Sequence, residues 1–178
     1  MNPSVEANLD HFALFGLPRR QALDLEQLEA RYRALQAQAH PDRFAHGSAA
    51  EKRRAEQLTA RINEAWQTLK DPLKRARYLL ELAGHDAGLE TNTAMPLEFL
   101  QEQMELREAV AEAKASGDAA ALEAQHARLR RATKEAYAAL QTLLDGGEFA
   151  RAGALVRELM FHEKLMQEIG DALEALDN

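Results

Sequence analysis

The feature that most constrains this chain is a helical repeat of apolar residues that runs, with short breaks, from about residue 25 to the end. Ala, Leu, Glu, Gln and Arg dominate, β-branched residues are few, and nothing reads as a strand. Apolar side chains spaced by three and four residues gather on one side of a helix, and that side must find another helix to cover it. The sequence therefore predicts an all-α fold. With 178 residues, 46% of them apolar, there is material for one domain or two small ones, and the breaks favour two.

A short helical turn is expected around His11 to Phe15, before Gly16, Pro18 and Asp24 punctuate the chain. Asp24 can cap a helix whose Leu25, Leu28, Tyr32 and Leu35 share a face. That helix must end before His40, because Pro41 has no amide hydrogen and turns its predecessor away from helical geometry. A loop is expected over Asp42 to Gly47. Ser48 with Glu51 then reads as a capping box for a long helix with Leu58, Ile62, Ala65, Trp66 and Leu69 as its buried stripe. Asp71 caps and Pro72 opens a further helix that stops at Gly84.

The stretch 85–96 is polar and aperiodic, and reads as a junction between a first domain, 1–84, and a second, 97–178. In the second, helices are expected over Leu97 to Ala115, Ala119 to Leu144 and Phe149 to about Leu176. The breaks at Ser116-Gly117-Asp118 and Asp145-Gly146-Gly147 are short enough to make neighbours antiparallel, hence a three-helix bundle. Leu122, His126, Leu129, Thr133, Ala136, Leu140 and Leu143 form the expected seam of the middle helix. Leu155, Leu159, Met166, Ile169, Leu173 and Leu176 form that of the last, with Gly153 and Gly170 loosening it.

Charge is unevenly shared. Residues 1–84 carry 13 Lys+Arg against 11 Asp+Glu, and residues 85–178 carry 9 against 18, so the halves stand at +2 and −9. Such asymmetry points to modules with different partners, and the acidic half argues against nucleic acid. The absence of cysteine excludes disulfides and thiolate ligation of a metal or cluster. No apolar run reaches the roughly 18 residues of a membrane span, and the first residues lack a basic-then-apolar leader, so a cytoplasmic location is expected.

His40-Pro41-Asp42 sits in the bend between two antiparallel helices. Proline fixes the bend and holds the flanking imidazole and carboxylate with less freedom to lose on binding. The bland alternative is a simple helix-breaking turn in which Asp42 starts a new cap. The tripeptide, with Tyr32-Arg33 and Leu35 before it and Asn63-Glu64-Ala65-Trp66, Leu69, Asp71-Pro72, Arg75 and Tyr78 after it, resembles the signature of J-domain proteins, co-chaperones of DnaK-type ATPases. The resemblance implies that Asp42 pairs with an arginine of the chaperone and that His40 supplies directed hydrogen bonds. It also implies that Arg31, Arg33 and Arg43 dock on an acidic part of the chaperone. Gln38, Ala39 and Arg43 depart from the commoner residues of the wider family, which implies a specialised chaperone or a weaker contact.

The first helix of the second half has more apolar residues than one face needs. Phe99, Leu106, Val110 and Ala113 fall on one side, while Leu97, Leu100 and Met104 gather on another beside Glu108. The second face reads either as a contact surface rimmed by Glu105 and Glu108 or as a face covered within the fold. A J-domain, a short junction and a three-helix module containing Phe99-Leu100-Gln101-Glu102-Gln103-Met104-Glu105-Leu106-Arg107-Glu108 resemble the HscB family of iron-sulfur cluster assembly. The likeness spans nearly the whole chain. It implies partnership with an HscA/DnaK-type ATPase chaperone and with an IscU-like cluster scaffold. It also implies scaffold contact through Leu100, Met104, Glu105 and Glu108, with Phe161 from Leu159-Met160-Phe161-His162. Gln101 departs from the more apolar residue usual there, and the sequence lacks the cysteine-bearing extension of eukaryotic relatives, which suggests a bacterial form.

The expected role is that of a co-chaperone without catalytic residues, metal ligands or cofactor. A different client, or self-association of the second module, is the nearer alternative. A helical-bundle metalloenzyme is the remoter one: Glu123 and His126 have the Glu-x-x-His spacing of di-iron bundles, but a second such motif is missing. His126 and His162 are therefore expected as partly buried bundle residues.

Overall fold

The computed structural model describes residues 9–44, 46–85 and 95–176, and among them every regular element is a helix. The chain divides into two compact units, Met1–Leu79 and Leu80–Asn178. The junction expected over 85–96 lies largely outside the described residues.

The first unit opens with α1 (His11–Leu14), one turn capped by the Asp10 side chain. Asp24 caps α2 (Leu25–Ala39) by accepting from the Gln27 amide. The expected apolar face of α2 is narrower than its spacing suggests. Leu28 is fully buried, Tyr32 and Leu35 are half-buried, and Leu25 is 51% exposed because it stands in the first turn. α3 (Ala49–Lys70) begins at the Ser48–Glu51 capping box and buries Ala55, Ile62, Ala65 and Leu69, while Leu58 and Trp66 are half-buried. The two long helices are locked by the stacked rings of Tyr32 and Trp66, 4.5 Å apart, and by Asn63, whose Oδ1 accepts from the Tyr32 hydroxyl and the Gln36 amide, each at 3.0 Å. α4 (Pro72–Leu82) starts where Asp71 accepts from the Leu73 and Lys74 amides at 2.9 Å, and its Tyr78 stacks on His11 at 4.3 Å. The turn after α4 uses Gly84 at φ +75°.

The second unit contains α5 (Leu97–Ser116), α6 (Ala119–Asp145) and α7 (Phe149–Leu176). Gly117 ends α5 in the left-handed conformation and Asp118 caps α6. The core joins Leu106, Val110 and Ala113 of α5, Leu122 and Leu129 of α6, and Leu165, Ile169 and Ala172 of α7. α6 keeps the expected seam up to Leu140, after which Leu144 is buried and Leu143 half-buried. In α7 the buried line is Ala152, Val156, Leu159, His162, Leu165, Ile169 and Ala172, while Leu155, Met166 and Leu173 are half-buried and Leu176 is exposed. α7 runs unbroken through Gly153 and Gly170.

Candidate functional site

At the head of the α2–α3 hairpin, Pro41 forces His40 out of the helix, to φ −57° and ψ 128°. The expected loop begins as a turn of 3-10 helix, Pro41–Phe44, closed by the Arg43 amide donating to the His40 carbonyl at 3.0 Å. Both sides of this bend are tied down. Thr59 of α3 donates its hydroxyl to the Ala39 carbonyl at 3.2 Å, and Gly47 donates its amide to the Phe44 carbonyl at 2.9 Å.

Held in this way, His40 and Asp42 face solvent, with side chains 59% and 91% exposed. The Asp42 amide donates to His40 Nδ1 at 3.3 Å, and Asp42 Oδ2 lies 3.6 Å from the same nitrogen. In the neutral ring Nδ1 is thus the acceptor, so the hydrogen sits on Nε2 and is available to a partner. The carboxylate keeps nearly all its acceptor capacity. A simple capping turn would have turned Asp42 inward onto the next amides, and Ser48 fills that role instead.

The three arginines differ. Arg43 is exposed and reaches back to the Ala37 carbonyl at 3.4 Å, placing a cation at the negative end of α2. Arg33 is exposed and paired with Glu29 one turn away. Arg31 is half-buried, and its Nη1 donates to the carbonyls of Phe15 and Gly16 at 2.6 and 2.7 Å. Its guanidinium clamps the segment after α1, so these donors are engaged within the fold.

On the second unit, α5 turns Phe99, Leu106, Val110 and Ala113 inward and leaves Leu97, Leu100 and Met104 at 70%, 38% and 62% exposure. The second apolar face is therefore open, and Glu105 and Glu108 beside it are exposed too. Phe161 of α7 is half-buried, packed edge-on against Phe99 with ring centres 5.9 Å apart at 69°. Phe99 thus links Phe161 to the helix that carries the patch. His162, expected to be partly buried, is 9% exposed, and its ring lies 5.9 Å from Phe99. His126 is half-buried, and among the described residues no group of three or more His, Asp or Glu side chains is arranged to hold a metal ion.

Contacts between residues distant in sequence complete these surfaces. Thr59 bonds across the hairpin, a pairing that no local spacing encodes. Phe99 has the core position its spacing predicts, and its contacts with Phe161 and His162 come from α7, far away in sequence.

Comparison with known proteins places both units. Residues 10–78 match the family model for the DnaJ domain, and residues 95–170 match that for the HSCB C-terminal oligomerisation domain. A co-chaperone protein HscB homolog of Azoarcus sp. (strain BH72) is 53% identical over 176 residues, covering 98% of this chain and 99% of its own. Another, of Ralstonia nicotianae (strain ATCC BAA-1114 / GMI1000), is 51% identical over 169 residues, covering 94% and 96%. Among solved structures, the chaperone HscB from Vibrio cholerae aligns with a TM-score of 0.82 at 40% identity, over 94% of this chain and 99% of that one. The human co-chaperone protein HscB aligns at 0.85 and 29% identity, over 92% and 81%. No helix of the described residues is long and apolar enough to cross a membrane.

Proposed function

Because this chain belongs to the HscB family of J-domain co-chaperones, we propose that it stimulates the ATPase of an HscA/DnaK-type chaperone and delivers to it an IscU-like iron-sulfur cluster scaffold. This activity serves the maturation of iron-sulfur proteins in the cytoplasm. Residues 1–84 make the chaperone contact, residues 97–178 hold the client, and 85–96 join them. His40, Pro41 and Asp42 form the trigger, with Arg43 and Arg33 as the adjoining basic surface and Arg31 adding its charge. Leu100, Met104, Glu105, Glu108 and Phe161 form the scaffold surface.

The observation that carries this reading is the exposed imidazole and carboxylate held by a bend that is bonded on both sides. A pre-ordered pair loses little conformational freedom on docking, and a charge-assisted bond from an arginine of the chaperone to Asp42 is strong and directional. Hydrolysis is the chaperone's own chemistry. The co-chaperone contributes proximity and a shift in the chaperone's conformational population.

The test is His40→Gln. The residue is exposed, so helical content and the thermal midpoint should match the parent protein, while stimulation of chaperone ATPase should be lost. Retained stimulation by the folded variant would remove the bend from the mechanism.

A further inference from the structure

His162 occupies a place that packing alone does not explain. It lies on the buried line of α7 between Leu159 and Leu165, immediately after Phe161, and its Nδ1 is buried with no hydrogen-bond partner. On α5, one turn after Phe99, Oε1 of the buried Gln103 is likewise unpartnered. The imidazole lies 5.9 Å from the ring of Phe99, tilted by 37°, and the same Phe99 ring carries Phe161 on its edge. His162 and Phe161 of α7 thus both meet the one Phe99 ring of the helix bearing Leu100 and Met104.

Titratable groups reach this seam from all three helices. From α5, Glu102 acts on His162 and on Glu158, which precedes His162 by one turn of α7. Arg157 acts on Glu158 from within α7. From α6, Tyr137 reaches α7 at Glu163, bonding its carboxylate. Burial holds the His162 ring below the ordinary histidine range, and the Glu102 carboxylate only partly offsets it. Burial and the Glu102 charge raise the Glu158 carboxyl, against the pull of Arg157.

We propose that His162 is a positioning residue for the client surface, whose uncharged imidazole keeps α5 closed against α7 beneath Phe99 and Phe161, so that charging it in acid loosens the surface. The proposal rests on the scaffold-binding reading of Phe161 and names a regulation of that same site. When the ring takes a proton from solvent, both nitrogens become donors, while Nδ1 has no bonded acceptor and the cation must sit on the buried line of α7. Either Glu102 is drawn inward or the seam opens, and both disturb α5. An open chain takes up this proton near pH ~6.5 while the closed seam resists it. The closed form therefore binds fewer protons below that pH and loses stability as pH falls from about 6.5 toward the depressed value. Glu158 runs the other way, because its raised pKa means that ionisation opposes closure at neutral pH and acid relieves the strain.

Scaffold binding by the full chain is to be measured calorimetrically at pH 7.5 and 5.5 for the parent, His162→Leu, His162→Gln and Glu158→Gln. Ring resonances of Phe161 are to be followed by NMR over the same range. The parent should lose roughly three- to tenfold more affinity on acidification than either His162 variant, a factor of ten corresponding to about one pKa unit of coupling. Its Phe161 signals should move with the His162 midpoint. Glu158→Gln should steepen the parent's loss by removing the opposing carboxylate. The same acid-to-neutral ratio in the parent and both His162 variants would overturn the proposal, as would Phe161 signals indifferent to His162. Signals that follow His162 in a protein that binds no scaffold at pH 7.5 would uphold the seam mechanism and sink the client reading alone.

Discussion

At the scale of single residues, burial separates side chains that spacing alone leaves equivalent. Leu97, Leu100 and Met104 are as apolar as Leu106 and Val110, yet the first three meet solvent and the last two fill the core. Exposed apolar groups beside carboxylates suit a client interface, where a few central side chains carry most of the binding free energy. Leu100→Ala and Phe161→Ala should each weaken scaffold binding by about 1 to 2 kcal/mol in calorimetric titration. Leu100 is exposed, so its loss should leave the free energy of unfolding within about 0.5 kcal/mol of the parent. Phe161 also leans on Phe99, so its truncation should cost stability as well. Unchanged binding by the folded double variant would dismiss the patch. The two faces of α5 were legible from helical geometry, since 100° per residue puts them apart. What was illegible was which face another helix covers, because that depends on α7, whose Phe161 lies far away in sequence. Leu25 shows the same limit: it has the spacing of a core residue but stands in the first turn of α2, largely exposed.

Elements are decided by their ends, and here the ends were easier to read than the faces. Asp24, Ser48 with Glu51, Asp71 and Asp118 all cap where short polar side chains precede an apolar period. The capping box at Ser48 also lowers the pKa of the Glu51 carboxyl, chiefly through the hydrogen bond from the Ser48 amide. It anchors α3 just after the His40–Asp42 bend, so losing it should reach the trigger. Ser48→Ala should lower stability by about 1 kcal/mol in denaturant unfolding, with a smaller loss of ATPase stimulation from a less ordered bend. A variant as stable as the parent would show that the amides at the start of α3 are satisfied equally well by water. The buried line of α7 was the harder reading. A helix that packs against both α5 and α6 carries a broad apolar stripe, and several lines of three-and-four spacing fit it. Alanine and histidine complete the true one through Ala152, His162 and Ala172, residues that a search for large aliphatic side chains passes over.

For the whole molecule, the division of charge between the halves becomes a division of labour. In the proposed function a slightly basic first half would meet the chaperone and a strongly acidic second half would hold a client. Joining two binding functions in one chain turns the client's encounter with the chaperone into a nearly intramolecular event. This makes a specific demand on ATPase rates. With chaperone in excess, the parent chain plus scaffold should stimulate hydrolysis by more than the sum of the two added separately. Leu100→Ala with Met104→Ala should retain the stimulation seen without scaffold and lose only the excess, because the substituted side chains lie on the proposed client surface. Asp42→Asn should lose both, since the coupled complex still requires the trigger. Raising salt from 50 to 300 mM should weaken the trigger contact more than the client contact, because the first is largely charge-assisted while Leu100, Met104 and Phe161 give the second an apolar centre beside Glu105 and Glu108. If the Leu100/Met104 variant kept the full excess, the client would be reaching the chaperone without this co-chaperone's second unit, and the acidic half would have to serve some other end.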